Sequence, residues 1–149
     1  MKINSDFRDL LRCLSEEQVR YLIIGAYAVM VYTEPRFTKD LDIWLEAEPE
    51  NAAGVLRALQ KFGAPTSVVT PEDLLDPNNI YQVGVAPVRV DFLSSIPGVL
   101  FSDAWSRRTE LPMPDFVAYV IGKEDLITAK LAAGRKQDKA DIRSLTKRR

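Results

Sequence analysis

The chain has 149 residues, of which 46% are hydrophobic and 28% charged, a composition typical of one soluble globular domain. Twenty basic and 21 acidic residues give a net charge of −1, which indicates no particular class of partner. The sequence has no histidine and one cysteine, Cys13, which excludes histidine bases, histidine or thiolate zinc sites and an internal disulfide. Any chemistry must use carboxylates, amines, guanidinium groups, hydroxyls or a hard metal ion.

No segment has the composition of a targeting signal or a membrane span. The longest apolar run, residues 21–32, is twelve residues long, whereas a membrane helix needs about 20. The first residues are charged and amphipathic, unlike a signal peptide. We therefore expect a cytoplasmic protein with a single domain over residues 1–149 and no membrane partner.

The first 62 residues predict two strands among helices. Ser5 is predicted to cap a first helix, Gly25 ends a short buried strand, and Pro35 lies in a polar loop. The predicted elements are a helix over residues 6–17, a strand over 21–24, a helix over 26–32, a loop over 33–38, a strand over 40–45 and a helix over 51–62.

The rest of the chain predicts further strands followed by two helices. The predicted elements are a loop with one helical turn over residues 64–79, strands over 80–85 and 88–93 joined through Ala86 and Pro87, a connection over 97–106, a segment without clear preference over 110–113, a strand over 116–121, and helices over 123–133 and 137–146. This order predicts an α+β (mixed α/β) fold, with helices flanking a central mixed sheet and a C-terminal helical pair over about 123–146.

Acidic side chains interrupt two of the predicted strands. Asp40 and Asp42 are two positions apart, so both project from one face while apolar residues project from the other. Asp91 lies between Val90 and Phe92 on another strand. Converging carboxylates repel one another and need cations or protons between them, and Mg²⁺ prefers oxygen ligands. The three acids are therefore candidate ligands of a hard cation.

The acidic pair alone is a weak signal, because twelve Asp residues produce about one Asp-x-Asp by chance. The plain alternative is two solvated acids at a strand edge. The context favours chemistry, since a buried strand, Gly25, a short helix and a loop with Arg36 and Thr38 precede the pair.

These blocks together resemble a known family. Residues 24–26 (Ile-Gly-Ala), a thirteen-residue spacer and residues 40–43 (Asp-Leu-Asp-Ile) resemble the signature of the DNA polymerase β-type nucleotidyltransferase superfamily. Residues 90–92 (Val-Asp-Phe) resemble its third carboxylate strand. Segments 35–42 and 124–138 are similar to small bacterial nucleotidyltransferases related to abortive-infection and toxin–antitoxin enzymes.

The resemblance implies transfer of a nucleoside monophosphate from an NTP, such as ATP, to an acceptor hydroxyl, with pyrophosphate released and two Mg²⁺ (or Mn²⁺) ions bound. It implies that Asp40 and Asp42 hold both ions, and that Asp91 holds the catalytic ion and helps to take the acceptor proton. Gly25 and Ala26 would place backbone N–H groups at the triphosphate. Ala26 stands where the family usually has Ser or Gly, so it offers no hydroxyl to a phosphate.

Four more residues are candidates for nucleotide binding. Arg36 and Lys39 would neutralise triphosphate charge, with Thr38 beside them; alternatively the cations pair with a nearby acid or solvent, and Thr38 is a turn hydroxyl. The resemblance places Lys130 at the nucleotide cleft; alternatively this lysine extends from a packed helix face to solvent.

The C-terminal part is basic. Residues 121–149 carry nine basic and four acidic side chains, consistent either with a polyanionic ligand nearby or with a solvated terminal helix. The resemblance places Arg135 and Asp138 along the nucleotide cleft or in support of it.

The acceptor and the partners stay open at this stage. Within the family, the acceptor is a side chain of a small helical partner (antitoxin) protein, a tRNA end or a small hydroxylated molecule, bound with the help of a homodimer or a partner. One alternative keeps the fold as a non-catalytic nucleotide-binding or protein-interaction module, which Ala26 favours. Another is a soluble α+β protein whose carboxylates are coincidental.

Overall fold

The computed structural model describes residues 3–84 and 89–147, which form seven helices and six strands. The helices are α1 (Ser5–Glu16), α2 (Gly25–Tyr32), α3 (Pro49–Phe62), α4 (Pro71–Leu75), α5 (Phe101–Ser106), α6 (Lys123–Ala133) and α7 (Lys136–Thr146). The strands are β1 (Tyr21–Ile24), β2 (Asp40–Leu45), β3 (Ile80–Val83), β4 (Arg89–Leu93), β5 (Thr109–Pro112) and β6 (Val117–Val120). Within these ranges, no helix has the length and apolar character that crossing a membrane requires.

The six strands form one mixed sheet in the order β3-β4-β2-β1-β6-β5. The central strand β1 pairs antiparallel with β2 and parallel with β6, and β2 pairs parallel with β4. The outer strands β3 and β5 pair antiparallel with β4 and β6. A mixed sheet with helices around it confirms the predicted fold class. The parallel pairing of β2 with β4 also brings the two predicted acidic strands side by side.

The helices cover the sheet with apolar side chains. Helix α1 has a strongly amphipathic pattern and buries Phe7, Leu10 and Leu14, whose exposure is 1% or less. Helix α2 is apolar on all sides and is buried between the sheet and the C-terminal helices. Fully burying a large apolar side chain contributes about 1.5–3 kcal/mol, so these contacts fix α2 firmly at the end of β1.

Most predicted elements are confirmed, with shifted ends. Ser5 is not the helix cap: the side-chain oxygen of Asn4 accepts the hydrogen bond from the backbone N–H of Asp6, at 2.8 Å, so α1 begins at Ser5. The segment without clear preference is the edge strand β5, where Pro112 is tolerated because an edge position needs fewer backbone donors. Residues 85–88, where two predicted strands end and join, lie outside the described residues. The last two basic residues of the chain also lie outside them.

Candidate functional site

The register of β2 and β4 places the predicted acids together. Asp42 lies directly opposite Asp91, and Asp40 lies directly opposite Arg89. Neighbouring strands are about 4.8 Å apart, and positions two apart share a face, so all four side chains project to the same side of the sheet. The three carboxylates that the sequence singles out therefore line one pocket.

Gly25 forms the backbone wall behind Asp42. Ile24 pairs with Asp42 across β1 and β2, and Gly25 follows at the first position of α2 with φ of +69°. A Cβ atom at Gly25 would come within 2.2 Å of the Asp42 carboxylate oxygen Oδ2. Both the positive φ and this close approach require glycine, which explains the small residue that the sequence places at the end of the first strand.

The pocket has a volume of about 620 Å³ and combines an acidic floor with an apolar wall. Gly25, Asp40, Asp42 and Asp91 lie on its sheet side, and residues of α6 and α7, including Lys130, lie on its helical side. The apolar part includes Ile96, Pro97, Ile121, Leu126 and Ala129. A pocket of this size that combines apolar and charged side chains can hold a small molecule.

A second cleft, of about 820 Å³, lies between the loops beside α1 and α3. Its lining includes Glu17, Arg20, Glu46 and Arg57, and it contains none of the predicted site residues, all of which the structure describes. Its two arginines already form ion pairs within the cleft, Arg57 with Glu17 and Arg20 with Glu46. Size alone therefore does not make it the functional site.

Arg89 bridges two of the three carboxylates. Its NH2 group donates to Asp40 Oδ2 at 2.9 Å and to Asp91 Oδ2 at 3.1 Å, and its Nε donates to Asp91 Oδ1 at 3.1 Å. Hydrogen bonding with Asp91 raises the pKa of Arg89 above its ordinary value. Sequence reasoning missed this residue, although its position two before Asp91 places it on the same face of the strand.

Asp42 is the acid that Arg89 does not contact. Burial at the pocket floor, followed by repulsion from Asp91 and Asp40, raises the pKa of Asp42 from 3.8 to about 6. The positive charges of Arg89 and Arg135 act in the opposite direction but do not cancel these effects. The positive charges near Asp42 therefore do not compensate for its burial and its acidic neighbours.

The donor set fits a hard divalent cation, although no ion position is preformed. Three carboxylates supply only oxygen ligands, which Mg²⁺ and Mn²⁺ accept, and the bare backbone at Gly25 leaves Asp42 accessible to the pocket. Within residues 3–84 and 89–147, no group of three or more acidic or cysteine side chains has the arrangement of a formed metal site. The Arg89 guanidinium already spans Asp40 and Asp91.

Lys130 belongs to a buried ionic network behind the pocket. Its ammonium group donates to Asp138 Oδ1 at 3.3 Å and to Asp141 Oδ2 at 3.0 Å, and the two acids have side-chain exposures of 1% and 3%. Burial alone would raise the pKa of Asp141, but hydrogen bonds from Arg36, Lys130 and Gln137 outweigh it and lower the pKa. Lys130 therefore lines the pocket while its charge joins α6 to α7.

Arg135 presents its guanidinium to the pocket. Its Nε and NH2 groups donate to Asp138 at 2.7 Å and 3.1 Å, yet 76% of its side chain is exposed. Gly134 adopts a left-handed conformation, with φ of +66°, that ends α6 and turns the chain toward Arg135. A guanidinium held by one carboxylate and otherwise open to the pocket can contact a phosphate.

The remaining predicted binding residues do not line the pocket. Ala26 follows Gly25 in α2, and Lys39 is exposed in the loop before β2. The Thr38 hydroxyl donates to the backbone carbonyl of Asp40 at 3.4 Å. Arg36 pairs with the buried Asp141, rather than with a neighbouring loop acid or with solvent alone. The structure thus gathers Gly25, Asp40, Asp42, Asp91 and Lys130 around one cavity and leaves Ala26, Arg36, Thr38 and Lys39 outside its lining.

Comparisons with known proteins point to one family. The profile of a family described as "Nucleotidyltransferase of unknown function (DUF6036)" matches residues 1–147. Comparison with curated protein sequences finds no match.

Two solved structures share the fold. TM1012 from Thermotoga maritima, provisionally assigned as a nucleotidyltransferase, has a TM-score of 0.63 and 15% identity over 92% of this chain and 88% of its own. The lincosamide antibiotic adenylyltransferase LnuA, solved with lincomycin bound, has a TM-score of 0.59 and 16% identity over 96% of each chain. At such low identity the similarity establishes the fold and leaves function to the site itself.

Proposed function

Because the chain belongs to the nucleotidyltransferase family DUF6036, we propose that it transfers a nucleoside monophosphate from an NTP to an acceptor hydroxyl and releases pyrophosphate. One observation carries the proposal: Asp42 and Asp91 are directly paired on β2 and β4, and the bare backbone of Gly25 lies against Asp42. A structural role alone does not account for paired acids at the floor of a pocket, because they repel each other.

The carboxylates are the proposed metal ligands. We assign Asp40, Asp42 and Asp91 as the residues that hold Mg²⁺ or Mn²⁺. Two such ions, when bound, stabilise the attacking and leaving oxygens of an in-line phosphoryl displacement. In this assignment, which follows the family resemblance, Asp91 also accepts the proton of the acceptor hydroxyl at a carboxylate oxygen.

The triphosphate is proposed to lie between the start of α2 and Arg135. The N-terminus of α2 presents backbone N–H groups, and Gly25 has no side chain to block a close approach. Arg135 offers a guanidinium fork that matches phosphate oxygens. Ala26 contributes only its backbone N–H here. Lys130, whose ammonium pairs with Asp138 and Asp141, is proposed to position Arg135 through Asp138 as well as to line the cleft.

We propose a small hydroxylated molecule as the acceptor and ATP as the first donor to test. LnuA, as its name states, is an adenylyltransferase of lincosamide antibiotics, and the two chains cover 96% of each other. That shared fold over nearly the whole of both chains supports a small acceptor. The apolar wall formed by Ile96, Pro97 and Leu126 suits the carbon skeleton of such a molecule. A tRNA end and a side chain of a helical antitoxin protein are the other acceptors to test.

The experiment uses each of the four NTPs labelled at the α-phosphate, with Mg²⁺ and a panel of hydroxylated small molecules, tRNA and host-cell protein. We expect label on one acceptor class with the native chain and with Asp103→Asn, an exposed acid away from the pocket. We expect none with Asp42→Asn. Equal labelling by Asp42→Asn and the native chain would show that the acids do not carry the reaction.

A second candidate is a nucleotide-binding module without transferase activity. The observation that favours it is the Arg89 bridge, which balances part of the negative charge of Asp40 and Asp91 without a metal ion. The alanine at position 26, in place of the usual Ser or Gly, points the same way. NTP binding by calorimetry and pyrophosphate release together distinguish the candidates. The module binds NTP and releases no pyrophosphate with any acceptor in the panel, whereas the enzyme releases pyrophosphate with one of them.

A further inference from the structure

Arg89 occupies the carboxylate oxygens that a metal ion would need. Three hydrogen bonds, of 2.9, 3.1 and 3.1 Å, join its guanidinium to one oxygen of Asp40 and both oxygens of Asp91. The two acids lie on different strands, so the guanidinium spans the same gap between β2 and β4 that a bridging cation would span. Its donors and a metal ion compete for the same electron pairs.

The bridge is placed where it can open. The Arg89 side chain is 34% exposed, whereas the Asp91 side chain is only 11% exposed. Arg89 can therefore turn into solvent or toward a bound anion while the carboxylates stay in place. Asp42, which Arg89 does not contact, remains available as the first ligand of an incoming cation.

We propose that Arg89 is a resident counter-cation that must leave Asp40 and Asp91 before divalent metal binds, and that a nucleotide triphosphate promotes this exchange by accepting the released guanidinium. The inference rests on the proposed function for its ligands. It predicts that a divalent metal ion alone binds weakly, because it must first displace the Arg89 guanidinium. It also predicts that metal and NTP bind with positive coupling, because the triphosphate accepts the guanidinium that the metal displaces.

Arg107 provides a matched control. It also forms a bidentate ion pair with a nearly buried acid, at 3.0 and 2.8 Å to Asp125. Asp125, unlike Asp40 and Asp91, does not line the pocket and is not a proposed metal ligand. Removal of either arginine therefore leaves a partly buried carboxylate without its partner. Only removal of Arg89 changes the charge at the proposed metal site.

The test measures Mn²⁺ binding by electron paramagnetic resonance and calorimetry, with and without a non-hydrolysable ATP analogue. We expect Arg89→Gln to bind Mn²⁺ alone on the order of tenfold more tightly than the native chain, with smaller coupling to the analogue. Arg107→Gln should match the native chain. Native or weaker Mn²⁺ affinity in a folded Arg89→Gln protein would overturn the inference.

Folding is controlled by a second variant. Arg89→Lys keeps one positive charge but not the fork that spans two carboxylates, so its Mn²⁺ affinity should lie between those of the native chain and Arg89→Gln. If Arg89→Gln does not fold, an Arg89→Lys affinity above the native value supports the exchange, and an unchanged value overturns it. Failure of the proposed function can be distinguished from failure of this inference. If the Mn²⁺ measurements show the exchange but no acceptor is labelled, the transferase activity is refuted and the role of Arg89 is not. Mn²⁺ binding that Asp42→Asn leaves unchanged overturns both.

Discussion

Asp42 on β2 and Asp91 on β4 are direct partners in a parallel strand pair, and both side chains face one pocket. Pairing like charges across neighbouring strands costs stability. The protein offsets part of this cost with the Arg89 bridge, which reaches Asp91 but not Asp42. The negative charge of Asp42 therefore has no hydrogen-bonded cation from this bridge.

Asp42→Asn should stabilise the metal-free protein at neutral pH. The pKa of Asp42 is about 6 in the folded chain, above its ordinary value of 3.8. A raised pKa means that ionisation costs stability, so the native chain loses stability as pH rises from about 4 through 6, and the loss is complete above that range. We expect Asp42→Asn to be more stable by about 1–3 kcal/mol at pH 7.5 and about equal at pH 4.

Urea denaturation in EDTA at a series of pH values measures this difference. Asp103→Asn, an exposed acid in the first turn of α5, is the control and should follow the native chain at every pH. An Asp42→Asn protein less stable than the native chain at pH 7.5 would show that Asp42 makes a favourable contact instead of carrying an unrelieved charge.

Gly25→Ala should disrupt the site more than the same substitution at another glycine of positive φ. The new Cβ would lie 2.2 Å from Asp42 Oδ2. Gly63 also has a positive φ, of +97°, but a Cβ atom there would meet no side chain or distant backbone atom within 4 Å. Both variants carry the left-handed strain of about 1–2 kcal/mol, whereas Gly25→Ala adds overpacking of about 1–3 kcal/mol.

Denaturation and NTP binding by calorimetry separate the two glycine variants. Gly63→Ala should keep native NTP affinity, and Gly25→Ala should lose most of it because the phosphate path is filled. Equal stability and equal affinity in the two variants would mean that the close approach of Gly25 to Asp42 has no consequence for binding.

Lys130→Met should destabilise the junction of α6 and α7. The lysine pairs with two acids whose side chains are 1% and 3% exposed, so its removal leaves buried negative charge with fewer partners. Arg135 and Arg36 still contact those acids in the variant. We therefore expect the free energy of unfolding to fall by about 2–4 kcal/mol, less than when a buried ion pair loses its only cation.

Thermal and urea denaturation measure this loss, with Arg12→Met as the control. Arg12 also pairs with two acids, Asp9 and Asp115, but all three side chains are at least 39% exposed. Its removal should change stability little, because exposed ion pairs are screened by water. A Lys130→Met protein as stable as Arg12→Met would indicate that the network does not hold α7 in place.

The fold was largely predictable where the pattern is local. The alternation over residues 40–45 predicts β2, and the break at Gly134 separates the two C-terminal helices, of which α6 has its predicted bounds, Lys123–Ala133. Edge strand β5 was not assigned, since proline and charged residues obscure its pattern and its pairing with β6 is decided by tertiary contact. The cap predicted at Ser5 lies one residue too late, since serine and asparagine side chains both cap helices and their neighbouring positions look alike in sequence.

The candidate site was predictable in its acids but not in its ion pairs. Asp40, Asp42 and Asp91 follow from strand alternation and the resemblance. The Arg89 bridge depends on the register of β2 with β4, which sequence spacing cannot fix across an intervening helix pair and strand. The pairing of Arg36 with Asp141 likewise depends on how α7 packs near the loop before β2. Long-range partners of charged side chains are set by tertiary structure.

The most direct test of the account is a crystal structure with Mn²⁺ and a non-hydrolysable NTP analogue, in which the anomalous signal of Mn²⁺ locates each ion. We expect Mn²⁺ within ligand distance of Asp40, Asp42 and Asp91. We also expect triphosphate near Gly25 and Arg135, and an Arg89 guanidinium that has left both Asp40 and Asp91. Nucleotide bound in the cleft between Glu17 and Arg57, with Arg89 still joined to Asp40 and Asp91, would contradict it.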